Sequence, residues 1–148
     1  MLRALKSLLD KPLTDGTSER GRALELAACA LLLEVTRADA DYHPDEEAAV
    51  MAAVRSAYGL SDAEVQTIVD SAAESITSAV SLNEFTGVVN ERLDLAEKCA
   101  LIEAMWRVAY ADGRIDKYED YTVRKIAELL HVPHAQFIRA KLRAAGEL

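Results

Sequence analysis

Apolar residues recur along this chain at three- and four-residue intervals, the period of a helix laid against a core. Leu2, Leu5, Leu8 and Leu9 predict a short amphipathic helix that stops at Pro12 and the Asp15-Gly16 turn. A longer helix is predicted from Thr17 or Ser18 to Ala38. Within it Leu24–Val35 is apolar on nearly every side, which gives it a central place. Pro44 opens a helix to Ala57, Ser61 one to Ser75, and Ser81 one to Arg92. Ser61 with Glu64, and Ser81 with Glu84, have capping-box spacing. Asp94–Ala111 forms a second central helix, with Leu95, Cys99, Ile102, Trp106 and Ala109 along one face. Asp116 caps a helix to Leu130, and Pro133 starts a short last one. No segment alternates as a strand would. The predicted fold is all-α, a compact single domain of seven to eight helices over residues 1–148, with an N-terminal helix at 1–12 and a core at 18–143.

Two stretches resemble each other at an offset of 73: Leu31–Glu47 and Ala104–Asp120. Val35/Val108, Ala38/Ala111, Asp39/Asp112 and Glu46/Glu119 are identical, and Tyr42/Ile115 is apolar in both. After one gap the likeness continues, Leu60–Val65 against Val132–Phe137. Each unit reads as an apolar helix, an acidic loop and an amphipathic helix. A helical hairpin cannot bury both faces alone, so two such hairpins are expected to pack with approximate two-fold symmetry.

Charge sharpens the picture. The chain has 17 basic and 25 acidic residues, net −8, and the excess is central. Residues 23–123 hold seven basic against twenty acidic side chains, while 1–22 and 124–148 are both net positive. An acidic domain lacks the footprint for nucleic acid, whose affinity comes largely from neutralising phosphates. The longest apolar run, Leu26–Leu33, is too short to span a membrane. The expected location is the cytoplasm, where Cys29 and Cys99, inside apolar helical patterns, read as reduced, buried hydrophobes.

The two loops are where chemistry would reside. Each offers an Asp at its start, Asp39 or Asp112, and a Glu seven residues on, Glu46 or Glu119, in the first turn of the next helix. Asp41, Asp45 and Glu47 add oxygens to the first loop, and Asp116 and Asp120 to the second. Oxygen-rich loops suit hard cations, so Ca²⁺ or Mg²⁺ is expected ahead of Zn²⁺, and no other cofactor is implied. The same residues also serve capping: Glu at the third helical position and Asp116 at the N-cap satisfy free amides and complement the helix dipole. Gly113 fits a left-handed helix stop. Asp112–Glu119 matches the second half of an EF-hand loop, but Val108 and Tyr110 stand where the opening ligands belong. His43-Pro44-Asp45 is the tripeptide of J-domains, but the segment before it is acidic where theirs is basic. No phosphate loop, nucleophile elbow or dinucleotide fingerprint is present. Tyr110, Tyr118 and Tyr121 around the second loop are expected at the edge of the core.

The segment from Trp106 through Ala111-Asp112-Gly113, Ile115 and Glu119, followed by Val123, Ile126, Ala127, Leu129 and Leu130, resembles the TerB family. Ala38-Asp39-Ala40 through Glu46 is similar to that family's other copy, with Ala40 where Gly is usual. The likeness covers Leu24 to Arg139. It implies an all-helical domain of paired hairpins tied to tellurite resistance and membrane-linked stress systems. It also implies a non-enzymatic role in which acidic loop residues bind metal. On that reading the chain is an interaction or scaffold domain with a protein partner, with association at the membrane surface and a homodimer both open. The alternative is a small-ligand binder or enzyme that uses carboxylates between the hairpins as acid/base groups.

Overall fold

The structure is a computed structural model and describes residues 23–37, 44–77, 82–111, 113, 115 and 117–147. The expected helix at 1–12 lies outside the described residues. Those described form seven helices and no strand: α1 (Ala23–Thr36), α2 (Pro44–Tyr58), α3 (Asp62–Thr77), α4 (Leu82–Arg92), α5 (Leu95–Ala109), α6 (Lys117–Leu129) and α7 (His134–Ala144).

Local chemistry places their ends. The Ser61 backbone N–H donates to Glu64 Oε1 at 3.0 Å and the Glu64 N–H donates to Ser61 Oγ at 3.2 Å, a complete capping box at the start of α3. Asp94 and Glu97 make the same pair of bonds at the start of α5. Two central helices end two residues earlier than their apolar pattern predicts. Thr36 Oγ1 donates to the Leu33 carbonyl at 2.7 Å as α1 closes. α5 closes at Tyr110, and the Gly113 amide then bonds the Tyr110 carbonyl at 2.8 Å with Gly113 left-handed, φ 91°, as anticipated.

The symmetry of the sequence is the symmetry of the packing. Shifted by 73 residues, α1 falls on α5 and α2 on α6; after the gap α3 falls on α7. Burial follows residue by residue. Val50, Val54 and Ala57 of α2 correspond to Val123, Ala127 and Leu130, all buried. Ala27–Leu33 corresponds to Ala100–Trp106, buried throughout. The contacts repeat too: α1 meets α2 and α3 as α5 meets α6 and α7, and the units cross where α1 meets α5 and α6 and α5 meets α2. α4 connects the two halves and packs on α1 and α6. The core thus centres on α1 and α5, because these two helices have no polar stripe with which to face water.

Three placements differ from expectation. Leu95 is 43% exposed, since it is the first residue of α5 and precedes the buried turns. Tyr118 and Tyr121 are 53% and 65% exposed and only Tyr110 is at the core edge. Glu119, Val123, Ile126 and Ala127 take the inward face of α6, which turns the two tyrosines out. Cys29 is fully buried, while Cys99 is only partly so; both are free thiols.

The end of α6 supplies a test of local strain. The Val132 N–H reaches the Ala127 carbonyl at 3.0 Å, closing a Schellman motif around His131, whose φ is 60°. The corresponding stop of α2 is Gly59, also at φ 60°. A side chain there costs about 1 kcal/mol relative to glycine. His131→Gly is therefore expected to stabilise the fold by about 0.5–1 kcal/mol, read as a raised urea midpoint with an unchanged slope.

Candidate functional site

Of the six predicted cation ligands, Asp39, Asp41, Asp112 and Asp116 lie outside the described residues. Glu46 and Glu119 are described, and they share an unusual environment. Each stands in the first turn of its helix, and each is buried, at 0% and 2% exposure. A glutamate that only caps a helix stays at the surface, as Glu97 does in part beside Asp94. These two are instead buried at equivalent points of the two units. Among the described residues no group of three or more His, Cys, Asp or Glu side chains is placed to hold a metal.

The second site element is one that hydrophobic patterning passes over. Glu103, at 1% exposure, sits in the apolar middle of α5. Arg107 Nη2 approaches its Oε2 at 2.7 Å from one turn along, and Arg143 Nη1 of α7 stands 3.7 Å from Oε1. The i, i+4 spacing of Glu103 and Arg107 was the available signal. Nearby, Asp120 of α6 accepts from Lys141 Nζ at 3.1 Å and Arg124 Nη2 at 3.2 Å. Burial would raise the Asp120 carboxyl, but those hydrogen bonds and charges outweigh it and hold the group below the usual carboxylate range. The aliphatic and ring surfaces join this network: Lys141 lies 4.9 Å over Trp106 and Arg124 5.0 Å over Phe137. The result is a tie between α6, α7 and the end of α5.

The cysteines offer no reactive thiolate. Burial pushes the Cys29 thiol up to about 12. Cys99 is raised as well, by burial against the opposing effect of Arg143. Tyr58 is raised by burial and then by the charge of Glu25, a fourth buried carboxylate, in the first turn of α1.

Between the halves, α2 and α5 leave an open groove of about 310 Å³ whose walls are mostly alanine. Among the described residues its one carboxylate is Glu103, beside Arg107.

The family model described as tellurite resistance protein TerB matches residues 25–142. The chain belongs to the TerB family. The match runs from the first turn of α1 to the last turn of α7, so both symmetric units and both acidic loops lie inside the TerB domain. No curated protein and no solved structure gives a significant match. No helix among the described residues is long and apolar enough to cross a membrane.

Proposed function

We propose that this TerB domain is a non-catalytic, stress-associated interaction domain that binds divalent cations through its two acidic loops. The observation that carries the reading is the paired burial of Glu46 and Glu119. A carboxylate leaves water only where charge or hydrogen bonds accompany it, and this chain makes that placement twice, at symmetric points next in sequence to the acidic loops. Asp39, Asp41 and Glu46 would hold one ion, and Asp112, Asp116 and Glu119 the other. A donor set made only of oxygen favours Ca²⁺ or Mg²⁺, and the ion would supply rigidity to the loops rather than a reactive centre. The exposed Tyr118 and Tyr121 on α6, with Lys117 5.2 Å over the Tyr118 ring, give a protein partner amphipathic surface of the kind enriched at interfaces. An acid/base role has less support, since the carboxylate on the groove is held between two arginines.

Calorimetric titration of metal-stripped protein with Ca²⁺, Mg²⁺, Mn²⁺ and Zn²⁺ tests this, beside an Asp39→Asn/Asp112→Asn double variant. Saturable binding of Ca²⁺ or Mg²⁺ at about micromolar Kd, close to −8 kcal/mol, is expected in the parent and at least about tenfold weaker in the variant. Absence of binding in both would return the loop acids to helix capping.

A further inference from the structure

The two symmetric units share one architecture but not one charge. The α2–α3 segment, residues 44–77, carries one basic and seven acidic side chains, net −6. The corresponding α6–α7 segment, residues 117–147, carries six basic and four acidic side chains, net +2. The contrast is sharpest on the outward faces of α2 and α6, the helices that each pack on α1 and α5. On α2 the exposed positions are acidic or small: Asp45, Glu47, Ala48, Ala52 and Ser56, the last two bordering the groove. Its one base, Arg55, is already paired with Asp62 at 3.1 Å. At the shift of 73, Pro44 becomes Lys117, Asp45 becomes Tyr118, Ala48 becomes Tyr121 and Ala52 becomes Lys125, all exposed. On that helix Asp120 is neutralised by Arg124 and Lys141, which leaves Glu128 as the exposed acid at its far end.

We propose that the α6 face of one copy docks on the α2 face of a second copy of this chain. Size and sign both agree. Tyr118 and Tyr121 present large amphipathic rings, of the kind enriched at protein interfaces, and α2 offers the small side chains of Ala48, Ala52 and Ser56 to receive them. Lys117 and Lys125 then fall in the field of Asp45 and Glu47. Pairing like faces, α2 on α2 or α6 on α6, would set like charges opposite one another, so the contact joins unlike faces. Every copy carries one face of each kind, and growth stops at a dimer only where two such contacts close around a two-fold axis. This inference rests on the reading of α6 as an interaction surface and is independent of cation binding.

Sedimentation equilibrium of the full chain, stripped of metal, reads the contact. The weight-average mass is expected to rise with concentration above the 16.2 kDa of one chain. Association should weaken about tenfold between about 0.01 and 1 M salt, as the Debye length falls from about 30 Å to about 3 Å. Lys117→Glu/Lys125→Glu and Asp45→Lys/Glu47→Lys should each be monomeric, since each variant then has two faces of one sign. All four positions are exposed, and circular dichroism checks that both variants keep the fold. An equimolar mixture of the two should associate as the parent does, because the acidic α2 of the first meets the basic α6 of the second. A parent that stays at the mass of one chain at every concentration overturns the proposal alone and leaves α6 to a partner of another kind. A parent that associates, with both variants associating equally well, overturns it together with the reading of α6 as the interaction surface. A mixture no heavier than its components overturns the pairing of α6 with α2.

Discussion

Replacing Trp106 by alanine is expected to cost about 3–5 kcal/mol, enough to unfold a large share of a domain whose total stability is about 5–15 kcal/mol. Trp106 is fully buried near the end of α5, with Phe137 of α7 at 5.5 Å, Tyr110 at 6.4 Å and the Lys141 ammonium over its face. It is the joint on which α7 rests, and α7 has few other large apolar side chains to hold it: Phe137 and Ala140 are its buried residues. The same side chain carries a liability, because its buried Nε1–H has no hydrogen-bond partner among the described residues. An unpaired buried donor costs about 1–3 kcal/mol, and phenylalanine would remove it together with some ring volume. Trp106→Phe should therefore lose less than about 1.5 kcal/mol. Guanidinium unfolding of the two variants separates these contributions. A Trp106→Phe loss equal to the alanine loss would show that the indole nitrogen is satisfied in solution and that the ring fit, not area, dominates.

What was legible in the sequence was whatever is decided locally. Ser61 with Glu64 stops and starts helices through bonds three residues apart, and α3 begins where that spacing says. The two central helices were legible because nothing in Leu24–Val35 or Ala100–Val108 offers a continuous polar stripe. The orientation of α6 was not, and the reason is Glu119. Counted as polar, it moves the apparent apolar face toward Tyr118 and Tyr121; counted as core, it lines up with Val123, Ile126, Ala127 and Leu130 and turns the tyrosines outward. Glu103 hides in the same way within α5. The groove is invisible to periodicity for another reason: alanine satisfies an apolar pattern as well as isoleucine does, and only the packing of α2 on α5 shows the space its small side chains leave. For the loops, the pairing of Asp39 with Glu46 and of Asp112 with Glu119 could be read directly, but the burial of both glutamates could not. It depends on how α2 and α6 pack against α1 and α5, a tertiary event.

Removing both arginines from Glu103 is the second change expected to have a large effect. Arg107→Ala/Arg143→Ala should cost about 3–5 kcal/mol, because it leaves a carboxylate buried in the α5 core without its counter-charges. The reverse change should not. Glu103→Met removes the charge that needs compensation and keeps the volume, so the lone substitution is expected to be neutral or mildly stabilising. The triple variant, Glu103→Met with both arginines removed, should then recover most of the loss. The asymmetry follows from where each partner sits: the arginines are half-exposed, at 50% and 43%, and keep most of their hydration, whereas Glu103 has almost none. Urea unfolding of the four proteins completes the cycle. If Glu103→Met costs as much as losing the arginines, the ion pair is itself a net source of stability. If the triple variant recovers, the pair contributes specificity instead. Glu103 would then fix the rotation of α5 against α7, and so hold its alanines toward the α2 groove.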